Sequence, residues 1–186
     1  ETATNYSYGF TPERYESILF RLNYSLKDRY LFTGTFRRDG SSKFGSERRV
    51  GSFPSFALAW RVTEEQFMKS QSIIDNLKIR ASWGRLGNDK FPSDAAVPTV
   101  TNNLSAVFGP DEKLTFGASI ISLANPLLQW EETTSSNVGF ELGLLDNRLT
   151  VEADYYNRKS EKILVPVPIP DYVGSSGDPY VNAADV

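Results

Sequence analysis

The stretch Ser17-Ile18-Leu19-Phe20-Arg21-Leu22-Asn23-Tyr24-Ser25-Leu26-Lys27-Asp28-Arg29-Tyr30 decides the fold class. Ile18, Phe20, Leu22, Tyr24 and Leu26 fall on one parity. Ser17, Leu19, Arg21, Asn23 and Ser25 fall on the other. A period of two is the signature of a β-strand with one apolar and one polar face. Lys27-Asp28-Arg29 then supplies a tight polar turn. The pattern resumes at once, with Tyr30, Phe32, Gly34 and Phe36 against Leu31, Thr33, Thr35 and Arg37.

The same alternation recurs along the chain. Phe56, Leu58, Trp60 and Val62 oppose Ser55, Ala57, Ala59 and Arg61. Leu77, Ile79, Ala81 and Trp83 oppose Lys78, Arg80, Ser82 and Gly84. Val138, Phe140, Leu142 and Leu144 oppose Asn137, Gly139, Glu141 and Gly143. Leu149, Val151, Ala153 and Tyr155 oppose Thr150, Glu152, Asp154 and Tyr156. With their flanks these segments predict strands over about 15–26, 29–38, 52–62, 77–87, 129–144 and 148–161. The expected fold is all-β, an antiparallel up-and-down meander of six or more strands. Thr63-Glu64-Glu65-Gln66 matches a capping box, so one short helix is expected near 63–70.

The connectors sort by length. Short turns fall at one end of the meander. The longer segments 39–51, 88–125 and 162–186 fall at the other, the last extended or irregular because of Pro166, Pro168, Pro170 and Pro179. Outer-membrane barrels have this asymmetry, with long loops outside the cell. Aromatics at strand ends (Tyr24, Tyr30, Trp60, Trp83, Tyr155) suit an interfacial girdle. No apolar run reaches the roughly 18–20 residues of a membrane helix, which leaves barrel strands open. Alternation alone fits a soluble β-sandwich binding module equally well. That reading makes the Phe20/Phe32/Phe56/Phe140 face an interior core.

Composition narrows the function classes. The chain has 186 residues, a net charge of −3, no Cys and no His. A generally basic nucleic-acid binder is excluded. So are disulfides, thiolate nucleophiles and His-based triads. Glu152 and Asp154 share a strand face, yet no closed cleft sets up glycosidase chemistry. No Asp/Glu cluster has calcium-loop spacing. No catalytic, cofactor or metal residue is expected, and the chain does not read as an enzyme.

Several blocks in order carry a family resemblance: Tyr24-Ser25-Leu26-Lys27-Asp28-Arg29-Tyr30-Leu31, Phe36-Arg37-Arg38-Asp39-Gly40-Ser41-Ser42-Lys43-Phe44-Gly45, Phe53-Pro54-Ser55, Ala59-Trp60-Arg61, Glu65-Gln66-Phe67-Met68, Leu77-Lys78-Ile79-Arg80-Ala81-Ser82-Trp83-Gly84, Gln129-Trp130-Glu131 and Asp154-Tyr155-Tyr156-Asn157-Arg158. The series, spanning about residues 15–160, resembles the barrel of SusC/RagA-type TonB-linked outer membrane proteins. The resemblance implies a Bacteroidetes-type transporter with a barrel of about 22 strands around a plug. It implies import of glycans or peptides, a SusD-like surface lipoprotein as partner, and the TonB complex as energy source. Localisation would be the bacterial outer membrane.

On this reading residues 1–186 are an arc of one transmembrane β-barrel domain. The plug and TonB box are expected to lie elsewhere in the parent protein. Arg21, Asn23, Arg37, Arg80, Glu141, Glu152 and Asp154 are the lumen-facing candidates. The apolar face would meet lipid. Arg37, Arg38, Lys43, Arg48 and Arg49 could meet lipopolysaccharide phosphates or an anionic substrate, or could brace a loop through pairs with Asp39 and Glu47. A passive porin-type barrel is the nearer rival.

Overall fold

A computed structural model describes residues 13–91, 95, 99–110, 112–122, 125–170 and 178–186. Its main feature is a six-stranded antiparallel sheet. The strands are β1 (Tyr15–Leu26), β2 (Tyr30–Ser41), β3 (Val50–Arg61), β4 (Ile74–Asn88), β7 (Glu131–Leu144) and β8 (Leu149–Glu161), and they lie in that spatial order. Each overlaps an expected segment. β2 and β3 run further into the long-loop side than alternation indicated, so the segment between them shrinks to residues 42–49.

The tight turns have the backbone their lengths demand. Lys27 and Asp28 take φ of 53° and 55°, and the Arg29 amide donates to the Leu26 carbonyl at 3.1 Å. Two consecutive left-handed residues match the right-handed twist of the flanking strands. Leu145, Asp146 and Asn147 are all left-handed too, closing the turn from β7 to β8.

Register turns the parity of each strand into continuous surfaces. One ladder row reads Tyr24, Phe32, Leu58, Ala81, Val138, Tyr155 across all six strands. The adjacent row on the same side reads Leu26, Tyr30, Trp60, Ile79, Phe140, Ala153. Among the described residues nothing covers this apolar face. Phe20 is 63% exposed, Leu58 58% and Val138 55%. It is therefore not the interior core that a sandwich requires. The described residues bury a core elsewhere, at the long-loop end. There Phe44, Phe53, Phe91, Ala95, Leu128 and Trp130 pack together, with Leu164 and Tyr180 against them.

Two features differ from expectation. The helix expected near 63–70 is replaced by two single turns of 3₁₀ helix, Val62–Glu64 and Gln66–Met68. Glu65 between them is extended, and neither turn has a side-chain cap. Thr63 caps neither turn, and the Glu65 carboxylate is engaged by Arg29, Tyr30 and Trp60, as described below. Second, the expected loops 88–125 and 162–186 contain hairpins, β5 (Thr99–Phe108) with β6 (Lys113–Ser122), and β9 (Ile163–Pro166) with β10 (Tyr180–Ala184). β5 and β6 escaped notice because Thr101-Asn102-Asn103 breaks the alternation, and their register slips there. β9 is only four residues long and ends at a proline. Within these spans residues 92–94, 96–98, 111, 123–124 and 171–177 lie outside the described residues.

Candidate functional site

The polar face carries the chemistry. β4 presents Lys78 and Arg80, β7 presents Glu141, and β8 presents Glu152 and Asp154. Register sets Lys78 beside Glu141 and Glu141 beside Glu152. It sets Arg80 beside Gly139 and Gly139 beside Asp154. The glycine between them is what lets Arg80 cross β7. A Cβ at position 139 would sit inside the Asp154 carboxylate and 2.8 Å from the Ala153 carbonyl.

Arg80 is the hub. Its Nη1 donates to Glu141 Oε1 at 2.7 Å. Its Nη2 donates to Asp154 Oδ2 at 2.5 Å and to Glu152 Oε1, and its Nε donates to Asp154 Oδ1 at 3.2 Å. The fork on Asp154 is the bidentate arrangement that the planar guanidinium favours. Lys78 Nζ adds a contact to Glu141 at 3.3 Å. Two cations and three carboxylates thus bind three strands together across the sheet.

Four of the seven residues singled out by sequence (Arg80, Glu141, Glu152 and Asp154) meet in this network. The other three do not. Asn23 accepts a hydrogen bond from Thr33 on the neighbouring strand at 3.0 Å. Arg37 pairs with Asp39 at 2.6 Å and lies over the Phe53 ring. Arg21 sits opposite Thr35 on the edge strand β1. Lys78 joins the network although sequence analysis gave it no role.

The short-turn end has a second polar knot. Glu65 accepts from Tyr30 Oη at 2.6 Å, from Arg29 Nη1 at 3.1 Å and from Trp60 Nε1 at 3.2 Å. The Tyr30 and Trp60 rings stack with centroids 6.3 Å apart. The Tyr30 hydrogen bond holds the Glu65 carboxyl below its ordinary pKa. Burial opposes this, and the Trp60 and Arg29 contacts reinforce it.

At the long-loop end, Lys43 is half swallowed by the aromatic core. Its ammonium donates to the Asp89 and Phe91 carbonyls at 3.4 and 3.3 Å and faces Glu13 at 3.7 Å. Burial pulls its pKa down, but Tyr15, Asp89 and Glu13 outweigh that and leave it raised. Of the loop pairs expected, Arg37–Asp39 forms. Among the described residues Glu47 forms no salt bridge. Arg48 instead donates to Gln129 at 2.8 Å, and Arg49 to the Phe44 carbonyl at 3.3 Å. Trp130 Nε1 donates to the Arg49 carbonyl at 3.1 Å, which locks segment 42–49 to the approach to β7.

Residues 1–186 match the model of the TonB dependent receptor-like, beta-barrel family. The chain belongs to that family. It is 43% identical over 156 residues to the TonB-dependent receptor SusC of Bacteroides thetaiotaomicron, a match covering 83% of this chain and 16% of that protein. It is 38% identical over 160 residues to the TonB-dependent receptor P3 of Formosa agariphila, covering 86% of this chain and 16% of that one. Among solved structures it superimposes on the RagAB peptide transporter with a TM-score of 0.79 at 28% identity, covering 93% of this chain and 18% of that chain. The open-open state of the RagAB peptide importer gives 0.78. This TonB-dependent receptor segment therefore spans less than a fifth of the length of those relatives.

Proposed function

We propose that this segment forms part of the wall of a TonB-dependent outer-membrane importer of glycans or peptides. One observation carries the reading. The apolar residues of six strands form one surface that no described residue covers, while charged residues of β4, β7 and β8 pair with one another on the opposite surface. In a bilayer that division puts the apolar face against lipid and the polar face toward a hydrated lumen. The segments 42–49, 89–130 and 162–186 then lie outside the cell. The tight turns and the Glu65 knot lie at the periplasmic side. The loop segments packed around Leu128 and Trp130 make a rigid rim over which a SusD-like surface lipoprotein would sit. Arg21, Asn23, Arg37 and the Arg80 network face the lumen.

No covalent chemistry is assigned to these residues. Their work is to keep a stiff wall while substrate passes, with energy supplied by the TonB complex acting on a plug. Similarity to SusC and to the RagAB peptide transporter supports both the import role and the lipoprotein partner.

The test uses the full-length parent protein. Fractionation is expected to place it in the outer membrane. A lipoprotein is expected to co-purify, and uptake of a labelled oligosaccharide or oligopeptide should stop when TonB is depleted. Uptake that continues without TonB would favour the passive porin. A parent protein that stays in solution without detergent would remove the membrane reading altogether.

A further inference from the structure

The polar face carries a groove on the loop side of the Arg80 network. It encloses about 630 Å³ and crosses β3, β4, β7 and β8. Register explains the hollow. One ladder row reads Ser55, Gly84, Ser135, Arg158, and the next reads Ala57, Ser82, Asn137, Tyr156. Small side chains on the middle strands leave the sheet backbone as a low floor. Gly84 sets its depth, since a Cβ there would lie 2.9 Å from the Ser55 Cβ. At the β8 end stand Arg158 and Tyr156, two residues apart on one face, and Tyr156 is 72% exposed.

The charges of this face are divided unevenly. Glu141, Glu152 and Asp154 are held by Arg80, and among the described residues no carboxylate lines the groove. Two arginines do line it. Arg85 is committed to Glu132 at 3.0 Å. Arg158 is exposed and forms no ion pair among the described residues. Within the same residues Ser55, Ser82 and Ser135 make no side-chain hydrogen bond, whereas Thr133 and Ser160 bond to each other at 3.0 Å. The groove therefore offers one uncommitted guanidinium beside three uncommitted hydroxyls.

We propose that this groove binds a short stretch of acidic oligosaccharide, with a uronate carboxylate on Arg158. The fork of a guanidinium fits a planar carboxylate. Serine hydroxyls both donate and accept, as sugar hydroxyls do. The open ring of Tyr156 gives the C–H side of a pyranose a surface to pack on. A peptide is served less well. β3, β4 and β7 have partners on both edges, so no backbone is left for a peptide to join as a strand. The inference names a substrate class for the importer and rests on reading the polar face as its lumen.

Isothermal titration calorimetry on the full-length parent in mild detergent tests this. The probes are a short oligogalacturonate, its neutral methyl ester and an oligoglutamate of matched length. The wild type is expected to bind the acid about tenfold more tightly than the ester, the size of one hydrogen-bonded charge contact. Arg158→Gln should bring the two to equal affinity, and Arg158→Lys should keep part of the preference. Ser82→Phe, which fills the floor, should weaken both. Heat-modifiable gel migration checks that each variant assembles. If Ser82→Phe does not, the two Arg158 variants carry the test, because that exposed side chain holds no described partner. A wild type that binds the acid no better than the ester overturns the proposal, and so does tighter binding of oligoglutamate. A preference that survives Arg158→Gln overturns it too, since the side chain would then be occupied by another part of the parent, such as the plug. A parent that imports through TonB yet fails these tests loses only the acidic ligand, whereas one soluble without detergent loses the transporter reading as well.

Discussion

Thr33 and Phe32 are neighbours with opposite fates. Phe32 sits in the apolar row between Tyr24 and Leu58, and Thr33 sits in the polar row between Asn23 and Ala57. Arginine at the lipid face near the bilayer midplane costs about 2–4 kcal/mol, while a lumen position can hydrate it. Phe32→Arg should therefore lower the stability of the assembled parent barrel by roughly that amount, and Thr33→Arg by much less. Denaturant unfolding in detergent or vesicles measures both. Equal tolerance would reverse the face assignment. Gly139 poses a second question at this scale. Its missing side chain is what lets Arg80 reach Asp154, since a Cβ there collides with the Asp154 carboxylate. Gly139→Ala should break the Arg80–Asp154 fork and leave a carboxylate facing Glu152 and Glu141 with less compensation. The expected result is reduced yield of assembled barrel, partly restored by adding Asp154→Asn. No restoration would mean that the backbone clash with Ala153 dominates instead.

Among the elements, the short connector between β3 and β4 shows how tertiary demand overrides a local motif. Thr63-Glu64-Glu65-Gln66 has the residues of a capping box, yet neither 3₁₀ turn carries a side-chain cap, and the extended Glu65 between them binds Arg29, Tyr30 and Trp60. A pH effect follows. The folded-state pKa of Glu65 is lowered, so the unfolded chain takes up its proton first as pH falls. The knot contributes its full stability above the ordinary carboxylate pKa. That contribution drains away as pH drops toward the lower folded value. Glu65→Gln should remove this part of the acid dependence and leave the neutral-pH baseline lower. Thermal melts of the parent from pH 7 down to pH 3 would show it, and parallel curves for the two proteins would rule the knot out as an acid-sensitive element. The comparison of connectors also shows what sequence can carry. The six long strands were legible because a period of two survives in residues such as Ile18 to Leu26. Glu152 and Asp154 could be placed on one face by the same parity. That Arg80 meets them could not, because this depends on the register of three strands and on Gly139. The knot and the Phe44–Trp130 core were illegible for a related reason. Alternation places Tyr30 and Trp60 on one face but does not bring Glu65 to them, and Phe44, Phe91 and Leu128 come from segments distant in sequence with no periodic signal.

For the whole molecule, the deciding fact is that the sheet has two ends. Among the described residues β1 pairs only with β2, and β8 only with β7. Apart from Ser160, whose amide and carbonyl exchange hydrogen bonds with Val186 at 2.6 and 2.8 Å, the outer edges present backbone N–H and C=O groups with no ladder partner. In water such an edge invites pairing with other chains, and in hydrocarbon each unsatisfied group costs several kcal/mol. The uncovered apolar face makes water a poor solvent for the same sheet, with Phe20, Leu22, Leu58 and Val138 all at least half exposed. Neither environment suits the segment alone. Closure into a larger barrel satisfies both demands at once, because neighbouring strands cap the edges while lipid covers the face. Expressed by itself, the chain of 186 residues should accumulate as aggregate and yield no heat-resistant, protease-protected species when refolded into vesicles. The parent protein treated identically should yield one. A deletion that removes β1 through β8 from the parent should abolish assembly, since the remaining strands would then have to close at a new circumference and shear. If the isolated segment instead gave a monodisperse soluble monomer, its apolar face would have to be buried internally, and the open arc seen here would not be its state in solution.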